Sequence, residues 1–181
     1  MYTGTIAGRY AQALLRFASS NGEEDVVYSQ VKELVEHFKA NPSIKKELDS
    51  PILPAKVKLA VLYNGVKGDI CRSLGEFLSL TARHGREKFI IFMLHSFIGM
   101  YERKHGIASV VLTTAVPADD ATMQGIASMV KEKTGSSSVR MESNVDENLI
   151  GGFVLRIADM QMDASVATQL KGLQETLLEK L

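Results

Sequence analysis

Among the 181 residues, the groups that could ligate a metal or attack a substrate are four histidines, one cysteine and scattered carboxylates. A zinc site needs histidines and cysteines a few residues apart on one turn or hairpin. His37, His84, His95 and His105 are never closer than ten residues to one another, and Cys71 stands alone. His95 falls in an apolar helical stretch and reads as a core or interface histidine. Cys71, expected inside a helix, reads as a small buried hydrophobe, and as a single cysteine it excludes an intrachain disulfide. Asp146, Glu147, Asp159 and Asp163 lie close enough in sequence to suggest a cation site. Their spacing is not that of a calcium loop, and loop or cap roles account for them equally well. Gly151-Gly152 is the only glycine pair, and Lys133-Thr134-Gly135 holds phosphate-loop residues in the wrong order. Both read as backbone turns. No catalytic residue, metal or cofactor is expected.

The charge pattern points to no nucleic acid. The formal net charge is zero, so there is no global basic field. The halves differ: residues 1–105 carry 15 Lys+Arg against 11 Asp+Glu, and residues 106–181 carry 6 against 10. That split suggests two units with unlike surfaces. The amino terminus, Met1 to Thr5, lacks the charged and apolar blocks of a signal peptide. The most apolar run, Phe89 to Leu94, is far short of the roughly 20 residues that span a bilayer. Membrane association is therefore expected only through partners.

The elements that would position these groups follow from periodicity. Ile6, Tyr10, Ala13, Leu14 and Phe17 repeat at helical spacing, and Asn21-Gly22 interrupts them. Glu23, Glu24 and Asp25 suit the positive end of a second helix carrying Val27, Val31, Leu34, Val35 and Phe38. Asn41-Pro42 is expected to cap a short third helix to about Leu48. Pro51 and Pro54 bracket a connector to a fourth, with Val57, Ala60, Val61 and Leu62, ending at Asn64-Gly65. Asp69 is expected to cap a fifth, with Ile70, Leu74, Phe77, Leu78 and Thr81 on one side. A sixth, about Arg86 to Lys104, is apolar nearly all round. After His105-Gly106 the pattern changes. Ile107 to Val116 reads as a strand, a helix carries Met123, Ile126, Ala127 and Val130, and Val139 to Val145 reads as a second strand. Phe153 to Ala158 is a third, with Asp159 turning the chain back through Met160 to Met162. A last helix carries Val166, Leu170, Leu173 and Leu177. The expected fold is mainly α: an amino-terminal six-helix bundle over residues 1–105, followed by a small α+β domain over residues 106–181.

Two helices are wider in their apolar arcs than one core requires. At 100° per residue, the first is apolar from Ala13 through Phe17, Ile6, Tyr10, Leu14, Ala7, Ala18 and Ala11 to Leu15, about 200° against the roughly 100° that faces one core. In the fifth, Phe77, Ile70, Thr81, Leu74, Leu78, Cys71 and Ala82 share one broad side, with Leu80 apart. Side by side, two such helices would leave a groove for an amphipathic partner helix. A small bundle that gives each of them neighbours on both sides accounts for the arcs as well.

Ile6-Ala7-Gly8-Arg9-Tyr10-Ala11-Gln12-Ala13-Leu14 resembles the first-helix motif of the ATP synthase delta subunit family, which includes the mitochondrial oligomycin sensitivity conferral protein. Val145-Asp146-Glu147-Asn148-Leu149-Ile150-Gly151-Gly152-Phe153-Val154-Leu155-Arg156 is similar to that family's carboxy-terminal signature, continued by Asp163-Ala164-Ser165-Val166. Phe77-Leu78 with Arg83-His84-Gly85-Arg86 is a third match. Gly8, Ala158, Ala167, Gln169 and Gly172 depart from the pattern, which puts the family's basic contacts near the last helix in doubt.

The resemblance implies a non-catalytic stator subunit of a proton-driven F-type ATP synthase, linking the catalytic head to the peripheral stalk against rotor torque. It implies that the helical domain receives alpha-subunit amino-terminal segments between the first and fifth helices, and that the second domain meets the distal end of the b-subunit stalk. Tyr10, Ala13, Leu14 and Phe17, with Leu74, Phe77, Leu78 and Thr81, are expected to flank the groove, some of them facing the core instead. Asp146, Gly151, Gly152, Asp163 and Ser165 are expected to serve the fold. The implied place is the cytoplasmic face of the bacterial inner membrane. The alternative reading is a helical adaptor or scaffold of another cytoplasmic complex.

Overall fold

The computed structural model describes residues 3–50, 53–66, 68–146, 149–157 and 160–178; at 3, 46, 49, 55, 172, 173 and 175–178 it describes the backbone alone. The signature residues Glu147 and Asn148, the turn expected at Ala158 and Asp159, and the side chains of Leu173 and Leu177 lie outside the described residues. The chain divides into two compact units, residues 1–101 and 102–181. The division falls inside a helix, a few residues before the expected pause at His105-Gly106. Glu102 belongs with the second unit through its carboxylate, 3.7 Å from the Arg140 guanidinium.

The described residues of the first unit form α1 (Thr3–Asn21), α2 (Glu24–Ala40), α3 (Ser43–Asp49), α4 (Ala55–Asn64) and α5 (Arg72–Arg83). A 3-10 turn over Glu87–Phe89 then leads into α6 (Ile90–Lys104). Each helix buries one periodic stripe: Ala7, Ala11, Leu14 and Ala18 on α1; Val27, Val31, Leu34 and Phe38 on α2; Ile90, Met93, Leu94 and Phe97 on α6. Tyr28 stacks on Tyr101 with ring centroids 4.1 Å apart, and the Tyr101 hydroxyl donates to Asp25 at 2.5 Å. Burial, then that carboxylate, push the Tyr101 phenol up to about 12. Gly65, at the end of α4, sits so close to α2 that a Cβ there would lie 2.6 Å from Leu34 Cδ1. The glycine is a packing requirement.

Two helix starts differ from expectation. Asn41 does not cap α3: its side-chain amide turns back and donates to the His37 carbonyl at the end of α2. Asp69 does not cap α5, which begins later, after Cys71. Its own carbonyl instead accepts from Gln30 Nε2 at 2.8 Å. Cys71 thus precedes the helix and is half-buried, not a core residue within it; burial raises its thiol pKa. His95, expected in the core or at an interface, is not in the core: it lies on the exposed side of α6. Partial desolvation, then Lys39, lower its pKa.

The second unit is a four-stranded sheet in the order β2-β1-β3-β4, with β1 (Ile107–Thr114), β2 (Ser138–Val145), β3 (Phe153–Ile157) and β4 (Met160–Asp163). β1 and β2 are parallel, joined through α7 (Asp120–Thr134); β3 and β4 are antiparallel neighbours. Ala108, Val110 and Leu112 point from β1, with Leu155 from β3, into a core shared with Ile126 and Val130 of α7. Alternate residues of β1 supply that face because a strand's side-chain period is two. Asp119 caps α7 by accepting from Thr122 N, and Gly135 closes it with a left-handed φ of 65°.

The glycine pair and the Asp163-x-Ser165 segment form one backbone seam before α8 (Val166–Leu178). Ala164 N donates to Phe153 O and Val166 N to Gly151 O. Asp163 accepts from Ser165 N at 2.9 Å and from Thr168 Oγ1 at 2.8 Å, and Ser165, 2% exposed, accepts from Thr168 N. Those bonds, led by the Ser165 amide, hold the Asp163 carboxyl below its usual range. Asp146 lies on the exposed loop after β2, its N–H donating to Thr114 O.

Gly152 has φ +77°, and a Cβ there would stand 2.3 Å from the Ala164 carbonyl oxygen. Both the left-handed backbone and the clash oppose any side chain. Gly152→Ala is therefore expected to destabilise the second unit by about 2 kcal/mol or more. Hydrogen exchange of β1 and β3 amides checks it, and unchanged protection there would count against the seam as a structural constraint.

Candidate functional site

α1 and α5 run antiparallel and are pinned at both ends. At one end the Tyr10 ring meets Phe77 edge-on at 6.3 Å, its hydroxyl bonds His84 Nδ1 at 3.0 Å, and Arg86 donates to that hydroxyl at 2.7 Å. The Arg86 guanidinium also lies over the Tyr10 ring, 5.4 Å from its centroid. At the other end Asn21 Nδ2 donates to Ser73 Oγ at 2.9 Å. Both N–H and O–H of Ser73 donate to the Glu23 carboxylate, and Cys71 N donates to Gln30 Oε1 at 3.0 Å. The first amides of α5 are thus satisfied by side chains from the start and middle of α2, not by a neighbour in sequence. The Ser73 hydroxyl, then its amide, lower the Glu23 pKa.

Between these pins lies an open cleft of about 620 Å³. Ala13, Leu14 and Phe17 flank it from α1, Tyr63 from α4, and Gly75, Glu76, Phe77, Ser79, Leu80 and Arg83 from α5. The 200° arc of α1 is explained by this arrangement: Ala7, Ala11, Leu14 and Ala18 face the core, while exposed Ala13 and half-buried Phe17 face the cleft. Leu14 reaches both. Four of the eight expected groove residues, Ala13, Leu14, Phe17 and Phe77, line the cleft. Tyr10 stands at its end, tied to the turn after α5.

Leu74, Leu78 and Thr81 belong elsewhere. All three are 0% exposed, and Thr81 Oγ1 is occupied by the Phe77 carbonyl. The broad apolar side of α5 supplies the core, and the cleft meets its other side. There Gly75 and Ser79 stand one turn apart, while Leu80, 44% exposed, is the apolar residue sequence reasoning set aside. The signal was a Gly-x-x-x-Ser spacing next to an isolated leucine on the polar side of an amphipathic helix.

The site holds no assembly for chemistry. Glu76 and Arg83 are seven residues apart on α5, about 10 Å along the axis, and Glu76 is paired with Arg72 at 2.9 Å. Among the described residues no group of three or more His, Cys, Asp or Glu could hold a metal ion. None of their buried side-chain polar atoms lacks a partner. No helix among them is long and apolar enough to cross a membrane. An open apolar cleft between pinned helices, without converging polar groups, has the form of a docking surface.

Comparison with known proteins gives the family. The family described as ATP synthase delta (OSCP) subunit matches residues 6–177, and the chain belongs to that family. It is 35% identical over 181 residues to the ATP synthase subunit delta of Phocaeicola vulgatus, covering 99% of this chain and 97% of that one. Its identity to the Parabacteroides distasonis counterpart is also 35%, covering 99% of both chains. A chain of the Toxoplasma gondii mitochondrial ATP synthase hexamer superposes with a TM-score of 0.74 at 25% identity, covering 95% of this chain and 97% of that one. The protein is a non-catalytic subunit of ATP synthase with a stator, or peripheral-stalk, role.

Glu23 tests the pinning. Because its folded pKa is depressed, its contribution is present above the ordinary value of 4.5 and is lost as pH falls through the folded value. Glu23→Gln is expected to lower the urea midpoint at pH 7 and to narrow its gap to the parent as pH falls below 4.5. A constant gap from pH 7 to 3 would show that the carboxylate charge contributes nothing.

Proposed function

We propose that the cleft between α1 and α5 receives the amino-terminal segment of an alpha subunit of the catalytic head. The second unit then holds the distal end of the b-subunit stalk, at the cytoplasmic face of the bacterial plasma membrane. The observation that carries this reading is the cleft itself: it is unfilled by the chain's own side chains and lies on the helix pair that the family resemblance singles out. A stator joint must outlast rotor torque, since a slipping head would turn with the rotor. A nanomolar contact corresponds to about −12 kcal/mol. Apolar burial supplies it at about 25 cal/mol per Å² before ordering costs. Fixed jaws reduce those costs, and the pins at Tyr10 and Ser73 fix them.

For the second unit, the supporting feature is an apolar surface on the edge strand and last helix. Met160 and Leu170 are more than half exposed, and Met162 and Val166 are also exposed. A hollow of about 240 Å³ lies beside the two methionines, lined by Met129, Leu155, Ile157, Met160 and Met162 among others. Methionine side chains adapt to a helical partner at little rotameric cost.

Ala13→Asp places a charge on the cleft wall without entering the core, because Ala13 is exposed. It is expected to weaken calorimetric affinity for an alpha-subunit amino-terminal peptide by about tenfold or more, with Tm unchanged. Equal affinity would refute the site. Met162→Asp with Leu170→Asp is expected to reduce recovery of the b subunit in pull-downs while leaving alpha-peptide affinity intact. Full recovery of b would place the stalk contact elsewhere.

A further inference from the structure

The edge of the sheet in the second unit concentrates exposed sulfur. Of the described methionines, Met93 is 0% exposed and Met100, Met123, Met129 and Met141 are half-buried, whereas Met160 is 64% and Met162 39% exposed. Those two stand on β4, two residues and about 7 Å apart. They pair with Ile157 and Leu155 of β3, and directly paired residues share a face. Both therefore lie on the face that carries the core, at its open margin, and both line the 240 Å³ hollow together with Met129. The strand has little freedom to turn them away. Pairing with β3, the Arg156 to Gln161 bond at 3.0 Å, and the bonds of Asp163 to Ser165 and Thr168 hold β4 in that orientation.

We propose that Met160 and Met162 form a reversible oxidation site, at which sulfoxidation by a hydroperoxide stops the second unit from holding its stalk partner. The effect on the stalk rests on the docking reading above; the oxidation itself does not. In the reaction a thioether lone pair attacks one oxygen of hydrogen peroxide. An S–O bond forms, the O–O bond breaks, and the departing hydroxide takes the proton of the transferred oxygen to leave as water. Sulfur loses two electrons and the peroxide gains them. Two thiols reverse the change, giving the thioether, a disulfide and water. A thioether accepts hydrogen bonds weakly, so it packs against apolar atoms at little cost. A sulfoxide is polar and disrupts such packing. In the free chain water satisfies its oxygen, since both side chains are exposed, and the fold tolerates the change. An apolar partner packed over β4 removes that water and returns no donor. Each buried sulfoxide then weakens binding about tenfold.

The test treats the full-length chain with dilute hydrogen peroxide and maps sulfoxides by peptide mass spectrometry. Met160 and Met162 are expected to oxidise about tenfold faster than Met93, with hydrogen-exchange protection of β1 and β3 amides unchanged. The oxidised chain is expected to bind the soluble part of the b subunit about tenfold or more weakly. Methionine sulfoxide reductases of both epimer specificities, with dithiothreitol, should restore the affinity. Met160→Leu with Met162→Leu keeps the wall apolar and is expected to hold b equally well before and after peroxide. Equal oxidation rates at Met93 and on β4 overturn the site. Unchanged b affinity after oxidation, or a loss that persists in the leucine variant, overturns the switch. Met162→Asp with Leu170→Asp separates the two ideas. If it weakens b binding while oxidation does not, the docking surface stands and the switch falls; if it leaves b binding intact, both fall.

Discussion

The first unit depends on α1 serving two surfaces at once, a buried core side and an open cleft side. Its core side is nearly all alanine, with Ala7, Ala11 and Ala18 at 1% exposure or less. Side chains that small let α1 lie close to its neighbours, and interaxial distance follows side-chain size. Close approach leaves the next sector of the helix, about 100° wide and carrying Phe17 and Ala13, beside α5 rather than buried under it. Larger residues on the core side would lift α1 away and change the width of the cleft. The cleft is therefore a consequence of how the core is packed, not a feature added to its surface.

That geometry is held by polar ties reaching across long stretches of chain. Glu23 and Gln30 engage the start of α5 more than forty residues later in sequence, and Tyr10 engages His84 and Arg86 beyond its end. Each tie satisfies groups that a helix terminus leaves open, so the same bonds that complete α5 also orient it. A subunit that transmits torque gains from walls that do not rearrange when a partner enters, because the ordering cost is then borne by folding rather than by association.

The second unit is built differently. Its sheet buries one face on α7, and the hairpin of β3 and β4 is closed onto α8 by the seam of Gly151, Gly152, Asp163 and Ser165. Steric exclusion at Gly152 and hydrogen bonding at Asp163 make those residue types necessary locally. The exposed methionines and leucine lie just beyond that seam, on the short edge strand and the last helix.

Much of this was legible in residue order. Helical periods marked α1 and α2, an all-round apolar run marked α6, Val and Thr richness marked β1, alternation marked β2, and the width of the α1 arc exceeded what one core requires. The change of pattern near His105 separated two units, and the absence of clustered ligands removed a reactive centre from expectation. What periodicity could not resolve was which part of an apolar arc faces inward. Leu74, Leu78 and Thr81 fell to the core and Leu80 to the cleft, because hydrophobicity reports burial without naming the neighbour that provides it. Nor could local rules find the start of α5. The nearest capping residue, Asp69, was passed over for Glu23 and Gln30, since a cap needs only an acceptor in the right place and folding brought two from a distant helix. Local chemistry therefore determined which segments fold and how wide their apolar faces are, while packing in three dimensions decided which edge of each face stayed open to a partner.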